Sequence, residues 1–543
     1  RAVFEAAGYT DIVTHAAALP PAQLQDALRG AQVAGIRSRT HLDAALLSGN
    51  PDLRMSWDNT VKYSAAWRVK DADSDIADDS VGVQANTNDG DQNFDKGLIS
   101  NRFDLLSEFD LRYKRNYGLR LSGAAWYDTV YNGSNDNRSD SVNSLSVGAG
   151  KFTSGTRDMM GRRGEILDAF VYYNSDQQSE TPFSVRAGRH TVLYGESLFF
   201  GANGIANAQA PVDVIKLLSV PGSQFKEIIR PVGQVSTQIQ LSTKVSLGAY
   251  YQYEWEKSRL PASGSFLSNA DFIGAGSEAL FPGTPLAMNY RGNLKPKSDQ
   301  GGVQLRLKPG SGDVEYGFYL AQYNDKAPQI MMDLPPGSTP APTTGTGYRL
   351  VYPEKIKTFG SSFSTVLGEA NVSGEVSYRW NAPLVSGPQV DPGLQGNGKG
   401  NPLYAVGKTL HAQLSAIYLL GGNGLWDGAE LLGEVAWNRR LSIDKNPLAL
   451  DINTTRDAMA FRMIFAEIKH HNTKLLESDS YRAGCWAPSK EMAGAVAQVQ
   501  ATVAIAMHKL HGMQRMVDDD GNPTGEDVFN FKPRAFIVIG SLN

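Results

Sequence analysis

The 543-residue chain carries 52 basic and 56 acidic side chains and a pI near 6.1, a balance that argues against a polyanion-binding protein. Its apolar runs fall well short of the roughly 18 residues a spanning helix needs, and its single cysteine, Cys485, excludes a disulfide framework. A mean hydropathy of −0.31 leaves a membrane barrel open, because a polar lumen face cancels a lipid face in any average.

Residues 1–49 read as a soluble α/β piece: an Ala-rich helix from Val3 to Ala7, a Gly8-Tyr9 break, and an amphipathic helix from Pro21 to Arg29. A short buried strand, Ala31 to Ile36, and a polar turn, Arg37-Ser38-Arg39-Thr40, follow. Through Ala6 to Thr10, Leu24 to Ala31 and Gly35 to Leu42 this piece resembles the N-terminal part of D-3-phosphoglycerate dehydrogenase. The resemblance implies that Arg37 and Arg39 bind a carboxylate or phosphate. No G-x-G-x-x-G loop follows, so no enzymatic activity is expected from it. The chain begins at Arg1 without a charged-then-apolar leader. An exported barrel needs one, which leaves either a cleaved signal or a start that is not the native one.

From Leu53 to Val69 every second side chain is apolar or aromatic except Asn59, with Arg54, Asp58, Lys62 and Arg68 between them. Successive strand side chains point to opposite faces, so one wall is oily and the other charged. The phase outlasts a soluble strand of about 5–6 residues and exceeds the roughly 9–11 that a transmembrane barrel strand needs. The pattern recurs in hairpins: Phe103–Tyr113 with Tyr117–Tyr127, Leu167–Tyr173 with Phe183–Ala187, and Val235–Leu241 with Val245–Trp255. Later come Val303–Leu307 with Val314–Tyr323, Phe359–Leu367 with Val372–Trp380, Leu410–Leu420 with Leu431–Trp437, and a strand at Met459–Phe465. Short turns alternate with long, exposed polar loops at Asp71–Lys96, Asn132–Arg163, Leu260–Gln300, Asn324–Tyr352 and Ala382–Lys408, the asymmetry of periplasmic turns and extracellular loops. The expected fold is all-β, a transmembrane antiparallel up-and-down β-barrel of about 14 strands, an even number, with small α/β pieces at both ends.

Several motifs occur in order: Arg186-Ala187-Gly188-Arg189-His190, Tyr194-Gly195-Glu196-Ser197, Pro211 to Val214, Tyr251 to Lys257, Tyr352 to Lys357, Glu375 to Arg379 and Thr455-Arg456-Asp457. Over about residues 52–465 these resemble a proteobacterial outer-membrane β-barrel family known as a domain of unknown function (thirteen-oh-two). The resemblance implies passage of hydrophobic small molecules, a bacterial outer-membrane location in contact with lipid, and partnership with a periplasmic or resistance-nodulation-division (RND) transporter component. It implies no cofactor and no nucleic-acid partner. Gly195 to Val214 is too irregular for a strand, and we expect it to fold into the lumen as a plug or constriction. The charges Arg186, Arg189, Glu196, Asp213, Glu254 and Glu256 are expected to line it; the plain alternative is that they pair across a wet lumen. His190 has no second His or Cys at ligand spacing, which argues against a metal.

After Phe465 the alternation ends. Glu467-Ile468-Lys469 forms an E-x-K pair that puts a carboxylate and an ammonium on one strand face. With Leu475-Leu476, Tyr481-Arg482, Ser489-Lys490-Glu491, an Ala-rich helix from Gly494 to Leu510 and the closing Lys532 to Gly540 strand, this tail is similar to the Shedu-type anti-phage nuclease domain of PD-(D/E)xK fold. That resemblance implies Mg²⁺ on Glu467 with Asp457 as second ligand, Lys469 assisting and Gln498 near the site. The chain therefore reads as a composite of 1–49, 50–465 and 466–543. The expected function is a non-enzymatic outer-membrane channel or binding protein; the rivals are a metal-dependent DNA endonuclease and a structural or adhesive barrel.

Overall fold

The computed structural model describes residues 53–469 except 78–85, 115, 139–144, 177–178, 220–223, 283–286, 311–312, 335–345 and 422–427. Beyond 469 it describes 476–482, 485–489, 493, 514–517, 523–528 and 534–539. The expected pieces at 1–49 and the helix at 494–510, with Arg37, Arg39 and Gln498, lie outside the described residues.

Fourteen antiparallel strands form one up-and-down sheet, each hydrogen-bonded to its neighbours in the chain. Numbering only this sheet, they are β1 (Leu53–Arg68), β2 (Gly97–Tyr113), β3 (Tyr117–Asp128), β4 (Arg162–Asn174) and β5 (Phe183–His190). Then come β6 (Val232–Ser242), β7 (Val245–Gln252), β8 (Gln300–Leu307), β9 (Glu315–Tyr323) and β10 (Ile356–Leu367). The last are β11 (Ala370–Pro383), β12 (Val406–Leu420), β13 (Gly428–Lys445) and β14 (Asp457–Lys469). Each coincides with a segment picked out by alternation. Connections after even-numbered strands are short and those after odd-numbered strands long, as a transmembrane β-barrel requires. On the far side of β14, Arg534–Ile539 pairs in parallel.

The alternation is visible residue by residue. On β9, Tyr316, Phe318 and Leu320 face outward while Gly317 and Tyr319 are buried inside. Cross-strand aromatic rows mark two levels of the wall. Tyr63, Phe103 and Tyr127 are register partners near the long loops, and Tyr113, Tyr117 and Tyr173 near the short turns. Phe103 and Tyr113 lie on one strand, about 34 Å apart at about 3.4 Å per residue. A barrel tilt of about 40° projects this to about 26 Å, close to the roughly 25 Å apolar band of an outer-membrane wall.

Two expectations need correction. The strand predicted to reach Trp255 ends at Gln252, because Tyr253 and Glu254 both donate their N–H groups to the carbonyl of Gly233 (3.1 and 3.2 Å) and bend the chain. Trp255 leaves the wall and packs edge-on against Tyr352, 4.7 Å between ring centres. The long loops, expected as exposed polar stretches, carry cores of their own. Phe94 packs with Tyr131, Phe152, Met160 and Ile215. Ala279–Leu280, Met288–Leu294, Gln329–Asp333, Gly347–Val351 and Gln389–Asp391 form a second, five-stranded sheet around fully buried Met331, Tyr348 and Leu350. Arg349 ties that sheet together through Asp333 (2.8 Å) and Asp391 (2.5 Å).

Candidate functional site

The connection from β5 to β6 leaves the wall and reaches strands far along the sheet order. Gly195 adopts φ +88, a left-handed conformation that glycine accepts without steric cost, and the chain from there has no regular structure until a single 3₁₀ turn at Ile205–Ala208. Its backbone groups need partners all the same, since a buried unpaired amide costs about 1–3 kcal/mol. The carboxylates of two strands supply them. Glu375 on β11 accepts from the N–H groups of Glu196 (2.7 Å) and Ile205 (2.9 Å) and from the Ser197 hydroxyl (3.0 Å). Glu434 on β13 accepts from the N–H groups of Leu198 (3.0 Å), Phe199 (2.6 Å) and Phe200 (2.7 Å).

The carbonyls are met in the same way. Arg379 on β11 donates to the oxygens of Ala202 (3.1 Å), Asn203 (2.6 Å) and Gly204 (2.8 Å). Lys326, on the loop after β9, donates to those of Asn207 (3.1 Å) and Ala208 (3.2 Å). That ammonium is fully buried over the ring of Tyr323, and burial pushes its pKa down to about 7, Arg379 adding to the effect and Asp325 opposing it. Apolar contacts complete the seat: Leu198 and Phe199 lie on Leu432 and Ile464, and Ile205 lies among Tyr194, Tyr250 and Tyr319.

Four of the six charges expected to line this region meet in one ladder. Arg259 joins Asp213 (2.8 Å) to Glu165; Arg230 joins Glu165 (3.4 Å) to Glu256 (2.9 Å); Arg189 joins Glu256 (3.1 Å) to Glu254 (2.5 Å). With Arg163 on Glu165 (3.4 Å) the acids and bases cancel. Glu196 belongs elsewhere, in a group with Arg306 (3.1 Å), Glu315 and Lys308. Arg186 lies over the ring of Phe170, 5.9 Å from its centre. His190 is buried between the Gly188 carbonyl (3.1 Å) and the Ser236 hydroxyl (2.7 Å), a structural histidine. Sequence reasoning did not assign Glu375, Arg379, Glu434 and Lys326 to this segment.

Two members of the nuclease-like set are held apart. Asp457 and Glu467 lie on the single strand β14, so the strand rise holds them about 33 Å apart and one ion cannot take both. Asp457 instead faces Arg439 at 3.7 Å. The backbones of Glu467 and Lys469 pair with Ile537 and Ile539. Among the described residues no group of three or more His, Cys, Asp or Glu side chains is placed to hold a metal ion.

The family described as protein of unknown function (DUF1302) matches residues 13–481, and the C-terminal region of the Shedu protein SduA matches residues 422–543. The first match spans both expected joints, near Gly49 and near Phe465. No curated protein matches the chain. Among solved structures, similarity extends to the outer membrane channel DcaP of Acinetobacter baumannii (10% identity, TM-score 0.34, 79% of this chain and 88% of that one). It extends also to OprB of Pseudomonas putida (9%, TM-score 0.31, 77% and 86%) and to an anion-selective porin from Comamonas acidovorans (13%, TM-score 0.27, 72% and 80%).

Proposed function

We propose that this chain, which belongs to the DUF1302 family, is an outer-membrane channel or binding protein for hydrophobic small molecules, its lumen narrowed by residues 195–214. The observation that carries the reading is the clamp. Glu375, Arg379 and Glu434 belong to strands remote in sequence from the segment, yet they satisfy its amides and carbonyls. A segment held so firmly across a polar interior is suited to set what passes. Docking of an RND-type or periplasmic partner is part of the same proposal.

The test is conductance of the purified chain in planar bilayers. Changing both Glu375→Gln and Glu434→Gln turns acceptor oxygens into donors facing N–H groups, so the segment loosens and single-channel conductance rises at least severalfold. Unchanged conductance in a correctly folded double variant sinks the plug. A sealed pore in both would favour a structural or adhesive barrel.

The SduA match over 422–543 favours a second reading, a DNA nuclease in the tail, for which Mg²⁺-dependent cleavage must disappear on Glu467→Ala. Anion binding by Arg37 and Arg39 belongs with the dehydrogenase-like reading of residues 1–49.

A further inference from the structure

Below the plug, at the short-turn end of β6 to β9, the lumen holds a cavity of about 400 Å³ lined by Gln238, Gln304, Lys244, Arg306, Lys308 and Glu315 among others. This is within the roughly 300–1,000 Å³ of small-ligand sites, but its lining is almost wholly polar, with Leu193 its one sizeable apolar side chain. Three cationic side chains face it. Against them stand Glu315, in the wall, and Glu196, on the plug behind Arg306, which leaves a surplus of one positive charge.

The three cations are not equivalent. Arg306 directs one N–H from each of its nitrogens to Gln304, Glu315 and Glu196, which leaves two of its five N–H donors for an incoming anion. Lys308 shares Glu315 at 3.1 Å. Lys244 has no carboxylate partner among the described residues. An incoming anion meets these Arg306 N–H groups, two point-charge ammoniums and a row of side-chain amides that donate hydrogen bonds, in a site with one net charge to neutralise. A monoanionic carboxylate matches that single charge, whereas a phosphate dianion exceeds it.

We infer that this cavity is a subsite for a carboxylate, so that the molecules admitted are organic acids, aliphatic or aromatic, rather than neutral or cationic ones of equal apolarity. The inference rests on the channel reading for its biological meaning but not for its test. Calorimetry on the detergent-solubilised chain with potassium benzoate and with benzylammonium chloride asks whether the site tells the two charges apart. Benzoate binds, more weakly as salt rises, and benzylammonium does not; the double variant Lys244→Gln, Lys308→Gln loses at least threefold in benzoate affinity. Lys244→Gln alone, which leaves the Lys308–Glu315 pair intact, shows part of that loss and guards against misfolding of the double variant. Equal binding of both probes, or benzoate affinity indifferent to both variants, overturns the subsite. In planar bilayers a potassium benzoate gradient gives a reversal potential of anion preference; a wild-type chain that never conducts counts against the channel reading, while the calorimetry still decides the subsite.

Discussion

Lys326 is an ammonium held by two carbonyls and a ring face, with burial pushing its pKa from the ordinary 10.5 down to about 7. The folded state therefore binds fewer protons here than the unfolded chain between about pH 7 and 10.5, so this residue makes stability rise with pH across that window. Below pH 7 both states are protonated and the burial cost stands in full. Lys326→Met removes the charge and keeps the bulk. We predict that the melting temperature of the wild type, measured relative to this variant in detergent, increases from pH 7 to pH 10; a difference that is flat or falls with pH contradicts the assignment. At this scale the sequence told only part of the story. Arg189, Glu254, Glu256 and Asp213 are legible as a charged set because they alternate with apolar residues in the sequence or fall in an irregular loop. On their strand faces Glu375 lies between Ser373 and Ser377 and Glu434 between Leu432 and Ala436, about 170–240 residues from the amides they bind, and single-chain spacing carries no sign of so distant a partner.

Among the elements, the fourteen strands were legible because a two-sided wall imposes a period of two that nothing else in the chain obscures. The exception was the end of β7, where alternation through Trp255 continues in the sequence after the hydrogen bonding has stopped. The second sheet was invisible for a different reason. Its core residues, Met331, Tyr348 and Leu350 among them, are contributed a few at a time by separate loops whose overall composition is polar. Gly188 shows what the wall demands locally. It lies opposite Phe170 on β4 with φ +130, and a β-carbon there would come within 2.3 Å of the Ala169 carbonyl oxygen and 2.6 Å of the Phe170 Cα, both backbone atoms. Gly188→Ala is therefore expected to cost about 1–3 kcal/mol for the backbone conformation alone, with further loss from the contact. Thermal unfolding in detergent should show the drop, and a variant as stable as wild type would mean β4 and β5 are not paired in this register.

At the scale of the whole molecule, an outward face of Leu, Val, Phe and Tyr side chains is backed by an inward face of Gln, Ser, Arg and Glu, to which the connection after β5 is hydrogen-bonded. Exposed apolar area on this scale is untenable in water and ordinary in lipid. The most direct measurement is cell fractionation followed by gel migration of unheated and boiled samples. The account predicts that the chain is recovered with the outer membrane, needs detergent to dissolve, and runs faster before boiling than after because the folded wall resists unfolding. A chain that stays in solution without detergent and migrates identically under both conditions would contradict it.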